Sequence, residues 1–134
     1  MTLPFVSICI PSFELGGRGI SMLTKLFSTI VLQKAHFNDF EVVISDHTVD
    51  DSIFKLCEEW KTLLPIKYFK NTQSRGSCEA NLINAIMNSS GKFIKPMLQD
   101  DFFLKDDALA KLVSVIKKDT DWAAGGCMHC KEDD

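Results

Sequence analysis

Residues 5–14 read Phe-Val-Ser-Ile-Cys-Ile-Pro-Ser-Phe-Glu, and residues 40–52 read Phe-Glu-Val-Val-Ile-Ser-Asp-His-Thr-Val-Asp-Asp-Ser. Each opens as a short apolar run with β-branched members and closes on turn formers and acids. Runs that are apolar without alternation mark strands buried on both faces, as in parallel sheets. The first predicts a strand from Phe5 to Pro11, and the second a strand from Phe40 to Asp46. Ile66 to Lys70 and Lys92 to Leu98 repeat the signal, and Asp121 to Gly125 is a weaker fifth instance.

Between these runs the apolar period changes to 3.6 residues. Ile20, Leu23, Leu26, Phe27, Ile30 and Val31 make one helical face, and Ile53, Leu56, Cys57, Trp60 and Leu63 make a second. Ile83, Ile86 and Met87 form part of a third, and Leu109, Leu112, Val113 and Ile116 form a fourth. Short side-chain oxygens that cap first turns stand where these helices should start: Asp50 or Asp51, Ser77, and Asp106. Gly91 suits a left-handed position after a helix end. Strand and helix therefore alternate through the chain, which predicts an α/β fold: a mostly parallel sheet with helices on both faces. In such sheets ligands bind beyond the carboxyl ends of the strands, where strand order reverses.

The chain has 134 residues, 46% of them hydrophobic, enough for one domain spanning residues 1–134. Its net charge of −3, without a block of like charges, gives no electrostatic reason to expect nucleic acid or a membrane surface as a partner. No apolar run has the length of a transmembrane helix, and the first residues lack the order of a secretory signal. The expected location is the cytoplasm. An odd count of five cysteines, with Cys9 in a strand-like run and Cys57 and Cys78 in helix-like ones, predicts reduced core thiols rather than a disulfide framework.

The residues just past the strands carry the chemistry. They are Pro11-Ser12-Phe13-Glu14, Asp46 to Asp51, Asn71 to Gly76 with Arg75, and Gln99-Asp100-Asp101. Asp100 and Asp101 are adjacent carboxylates that repel unless a cation compensates them, and hard oxygen ligands suit Mg²⁺ or Mn²⁺ shared with substrate phosphates. A solvated acidic turn is the plainer explanation, but Asp106 and Asp107 are better placed to cap the next helix. Asp46, at the rim of the sheet, is able to accept hydrogen bonds from a base or a ribose hydroxyl, or to serve only as a turn residue. Phe13 offers a face for base stacking and Ser12 a hydroxyl, while Arg75 beside Gly76 offers a fixed positive charge to a diphosphate. Cys127-Met128-His129-Cys130 contains zinc-ligand types but lacks a second ligand pair, so an incomplete site or an ordinary turn is expected.

Taken in order, these segments resemble the N-terminal half of family 2 glycosyltransferases. VSICIPSFE (6–14) is similar to the family's strand ending in Pro-Thr/Ser-aromatic-Asn/Glu, and FEVVISDHTVDDS (40–52) to its apolar strand ending in Asp. Glu79-Ala80-Asn81, Gly91-Lys92-Phe93-Ile94 and Gln99-Asp100-Asp101 resemble the Asn-rich helix, the following strand and the DxD-type motif. The resemblance implies a Rossmann-like GT-A fold, truncated here, that binds a UDP-type nucleotide-sugar donor with Mn²⁺ or Mg²⁺ and transfers its glycosyl group to an acceptor hydroxyl. It implies contacts to uracil or ribose from Ser12, Phe13 and Asp46, a reach to base or diphosphate from Arg75, and a place near ribose and phosphate for Asp100. Asp101 would bind the metal, and Pro11 and Glu14 would belong to the donor pocket.

Two departures qualify what the resemblance implies. The first acidic position of the longer DxD pattern holds Leu98 or Gln99, so the metal site rests on Asp100 and Asp101. The family's acceptor side and its catalytic base lie well beyond that motif, so the base is expected to be missing, with Glu132, Asp133 and Asp134 the only late acidic candidates. The acceptor is unknown. A binding module that holds nucleotide and metal without transfer, completed by a second copy or another chain, is therefore the alternative. A nucleotidyltransferase is disfavoured because Glu14 to Gly19 reads Glu-Leu-Gly-Gly-Arg-Gly, and a Walker-type loop lacks its Gly-Lys-Ser/Thr ending.

Overall fold

The computed structural model describes residues 2–117 and 120–131. The acidic candidates Glu132, Asp133 and Asp134 lie outside the described residues. Four strands, β1 (Val6–Ser12), β2 (Phe40–Asp46), β3 (Ile66–Lys70) and β4 (Phe93–Pro96), form one sheet in the order β3-β2-β1-β4. All neighbouring pairs are parallel. Every residue of β1 and β2 is buried, as their unalternating apolar runs require.

Four helices, α1 (Arg18–Gln33), α2 (Ser52–Trp60), α3 (Cys78–Met87) and α4 (Ala108–Ile116), cover the sheet. Alternation of side chains along the strands divides the core. Val6, Ile8, Ile10, Val42 and Ile44 pack with Leu23, Leu26, Phe27 and Ile30 of α1, with Ile53 and Cys57 of α2, and with Leu109 and Val113 of α4. Cys9 and Val43 point the other way, against Ala85, Leu82 and Ile86 of α3. Phe27 is wholly buried, with its ring centroid 5.6 Å from that of Trp60. Burial of a side chain of that size contributes roughly 1.5–3 kcal/mol.

The α3 face differs from the sequence expectation. Ile83 and Met87 are exposed, and Asn81 is buried in their place. The reason lies in the sheet, which presents Ser45 as well as Cys9 and Val43 beneath the helix. Asn81 Nδ2 donates to the carbonyls of Ser12 (3.1 Å) and Ser45 (2.8 Å), and Asn84 Nδ2 donates to Ser45 Oγ at 2.8 Å. Ser77 caps α3 as expected, accepting from Ala80 N at 3.1 Å.

Other local expectations need correction. Asp121 to Gly125 forms no strand, consistent with a segment that has no β-branched residue, and Trp122 there is 76% exposed. Cys78 is exposed rather than a core thiol. Asp107, not Asp106, occupies the N-cap of α4, and it pairs with Lys111 at 2.8 Å instead of capping through its side chain. Gly91 does not adopt a left-handed conformation. It is needed for close approach, because a Cβ there would lie 2.5 Å from Ser7 Oγ and 2.6 Å from Ser7 N.

Candidate functional site

Parallel pairing brings the carboxyl ends of β1, β2 and β3 to one edge. Ser12 lies opposite Asp46, and Asp46 lies opposite Lys70. Pro11 is buried beside Ser45, where a residue without an N–H ends the apolar part of the strand. Ser12 Oγ donates to Asp46 Oδ1 at 3.0 Å, so the two strand ends are joined through side chains as well as backbone.

Asp46 is wholly buried, and its carboxylate is satisfied from within the protein. Oδ1 also accepts from Thr48 N at 3.0 Å, and Oδ2 accepts from Tyr68 OH at 2.7 Å. Burial raises the Tyr68 phenol well above its ordinary value, and the bond to Asp46 raises it further, so the phenol remains a donor. Asp46 therefore organises the rim. Contact with a ligand would pass through Ser12 or require Tyr68 to exchange partners.

The β1–α1 connection is fixed by Glu14. The N-cap of α1 is Gly17, which has no side chain to satisfy the first amides. Glu14 replaces that cap: Oε2 accepts from Ile20 N at 2.6 Å, and Oε1 accepts from Gly17 N. Its own N–H donates to Thr48 Oγ1 at 2.9 Å, which links this loop to the one after β2. A carboxylate at a helix N-terminus is also favoured by the helix dipole.

Gln99 closes the site between β1 and β4. Phe13 N donates to Gln99 Oε1 at 2.9 Å, and Gln99 Nε2 donates back to Phe13 O at 3.2 Å. This reciprocal pair ties the turn that carries Asp100 and Asp101 to the backbone of Phe13, whose ring is half-exposed. Asp101 Oδ2 accepts from Leu98 N at 2.8 Å, leaving Oδ1 available, and Asp100 is exposed. No group of three or more His, Cys, Asp or Glu side chains able to hold a metal occurs among the described residues, the Cys127, His129 and Cys130 segment included. Two exposed carboxylates at one turn still suit a hard cation that completes its shell with water and phosphate oxygens, the habit of Mg²⁺.

Behind this turn, Lys95 Nζ donates to Pro96 O at 3.0 Å. Burial lowers the Lys95 ammonium, and the charge of Asp101 opposes that effect. Arg75 stands apart from the other candidates. It is exposed on the loop after β3, between Ser74 at φ 50° and Gly76 at φ 90°, and it makes no hydrogen bond or ion pair among the described residues. A cavity of about 300 Å³ between β4 and α4, lined by Ile94, Leu112 and Trp122, includes none of the strand-end candidates.

These strand ends sit on a chain whose residues 7–134 match the family described as Glycosyl transferase family 2. The chain belongs to that family. Within it, a curated relative is the GalNAc(5)-diNAcBac-PP-undecaprenol beta-1,3-glucosyltransferase of Campylobacter jejuni, 28% identical over 131 residues. That match covers 97% of this chain and 40% of the relative. Among solved structures, S. aureus TarS 1-349 superposes with a TM-score of 0.70 at 20% identity, over 84% of this chain and 32% of that one. TarS 1-349 in complex with UDP gives the same TM-score, as does its complex with UDP-GlcNAc. At that identity the likeness establishes the fold, a GT-A-type α/β fragment. This family 2 chain spans about two-fifths or less of the length of these relatives.

Several residues that shape the site had no role assigned from sequence: Thr48, Tyr68, Asn71, Asn81 and His47. Asn81 was visible as part of the Asn-rich helix. Tyr68 lies on the same sheet face as Ile44, one strand away from the acid it serves, and no local pattern marks it.

Proposed function

We propose that this chain carries the nucleotide-sugar-binding part of a glycosyltransferase, taking a UDP-type donor at the carboxyl ends of β1, β2 and β4. The observation that carries this is the joining of those ends: Ser12 to Asp46 at 3.0 Å, and Phe13 to Gln99 at 2.9 Å beside the Asp100-Asp101 turn. The chain's family, and the UDP and UDP-GlcNAc complexes of the TarS fold relative, support the choice of donor.

In this reading Pro11, Ser12 and Phe13 meet the base and ribose, with Asp46 orienting the Ser12 hydroxyl and Glu14 fixing the loop that carries Phe13. Arg75 offers charge to the base or diphosphate, and Asp100 lies near ribose and phosphate. Asp101, with Asp100, holds Mn²⁺ or Mg²⁺. Such a metal, when bound, stabilises charge on the nucleoside diphosphate as it leaves. The glycosyl group then passes to an acceptor hydroxyl.

A second reading, donor binding without transfer, is supported by the commitment of the carboxylates. Asp46 and Glu14 are both engaged by internal donors, which leaves neither free to deprotonate an acceptor. Calorimetric titration with UDP in Mn²⁺, run beside an assay for donor hydrolysis and transfer, separates the readings. Binding that Asp101→Asn abolishes, with turnover in the wild type, supports the enzyme. The same binding without turnover selects the module, and no binding at all refutes both.

A further inference from the structure

The imidazole of His47 is 2% exposed and follows Asp46 directly, yet it faces the loop after β3 rather than the Ser12–Asp46 pair. His47 Nε2 is 2.8 Å from the Gln73 carbonyl and 3.0 Å from Asn71 Nδ2. Nε2 serves one of these contacts at a time: protonated it donates to the Gln73 carbonyl, and unprotonated it accepts from Asn71 Nδ2, and the shorter contact is the one that makes it a donor. Asn71 Nδ2 then directs a hydrogen to Asn81 Oδ1 at 3.3 Å, while Asn71 Oδ1 accepts from Gln73 N at 3.0 Å. Asn71 N is itself bonded to Asp46 O at 2.8 Å. The root of the loop is thus tied to β2 and α3 through Asn71 and to His47 through Gln73 O, whereas its crest, Ser74 to Gly76, bends through two left-handed residues and presents Arg75 to solvent.

We propose that His47 is a positioning residue for donor binding, which holds the 71–77 loop in the conformation that presents Arg75 to the nucleotide donor. This rests on the donor-site reading above. A loop with positive φ at a non-glycine residue persists only where its surroundings over-determine it. The bond from the buried imidazole to Gln73 O is the side-chain contact nearest in sequence to Ser74 that reaches the loop from outside it. Without it, Arg75 samples many orientations and the entropy of ordering it falls on the ligand.

The test is a set of variants assayed by UDP calorimetry in Mn²⁺, with amide hydrogen exchange read at Gln73 and Ser77. His47→Leu keeps the volume but deletes the donor, and His47→Gln restores a donor near the Nε2 position. The expected result is that His47→Leu and Arg75→Ala each weaken UDP on the order of tenfold, equivalent to about 1.4 kcal/mol. The double variant should be no weaker than Arg75→Ala alone, because the histidine acts through the arginine. His47→Gln recovers most of the affinity, and exchange at Gln73 and Ser77 quickens in His47→Leu only. Unchanged affinity in His47→Leu, or additive losses in the double variant, overturns the proposal while leaving the donor site standing. A wild-type chain that binds no UDP overturns the donor site and this proposal together. If His47→Leu does not fold, imidazole ¹⁵N shifts of the wild type decide the tether: an Nε2–H tautomer supports it, and an Nδ1–H tautomer refutes it.

Discussion

Tyr68, on β3, donates its hydroxyl to Asp46 Oδ2 on the neighbouring strand at 2.7 Å, which makes a wholly buried carboxylate at the carboxyl end of β2 a satisfied one. Ser12 Oγ and Thr48 N complete its donors. Removing one donor from a buried acceptor leaves its desolvation uncompensated. Tyr68→Phe should therefore destabilise the chain by about 1–3 kcal/mol, measured by urea unfolding. A change within error would show that water replaces the phenol and that Asp46 is more open than its burial implies.

At the opposite end of the sheet, Glu41 provides a pH-dependent lock. Burial alone would raise its carboxyl, but Lys67 Nζ at 2.6 Å and donors from Ser7 and Ser90 outweigh that, and the group is held at about 2 instead of 4.5. The native state thus favours the charged form. Its contribution is complete above the unfolded value near 4.5 and is lost as pH falls through about 2. Unfolding free energy measured across that window should drop in the wild type and stay flatter in Glu41→Gln, which begins from a lower stability at neutral pH.

Gly19, in the first turn of α1, is packed against the backbone of the site. A Cβ there would lie 2.6 Å from Phe13 O and 3.0 Å from Glu14 Cα. Gly19→Ala should cost about 1–3 kcal/mol by overpacking, and it should also weaken UDP because Phe13 and its partner Gln99 must move. Gly126→Ala, with open space around the new methyl, serves as the control and should leave both quantities unchanged.

The cysteines divide by exposure. Burial pushes the Cys9 thiol to about 11 and the Cys57 thiol to about 12, whereas Cys78, Cys127 and Cys130 are exposed. Because the thiolate is the reactive form, iodoacetamide at neutral pH should modify the last three in the native protein. Cys9 and Cys57 should react only after denaturation, with mass spectrometry locating the adducts. Early labelling of Cys9 would contradict the packing of α3 on β1.

Much of this architecture was legible in the sequence because it is local. The unalternating run Val6 to Ile10 reports burial on both faces, and the 3.6-residue spacing of Leu23, Leu26, Phe27 and Ile30 reports one helix face. What escaped depends on partners distant in sequence. Asn81 stood outside the apolar face read for α3, because an amide is buried stably only where another element supplies carbonyls, and Ser12 and Ser45 do so from two strands. The cap that Glu14 gives α1 also escaped, because it answers Gly17, which leaves the helix amides without a side-chain partner of its own. Gly91 read as a helix terminator, yet the requirement for glycine comes from Ser7, on β1.

The most direct test of the donor-site account is a crystal structure of this chain with UDP and Mn²⁺. The account predicts nucleotide between the ends of β1 and β4, with uracil against Ser12 and Phe13 and the diphosphate and metal at Asp100 and Asp101. Nucleotide bound anywhere else, or a diphosphate turned away from Asp101, would contradict it.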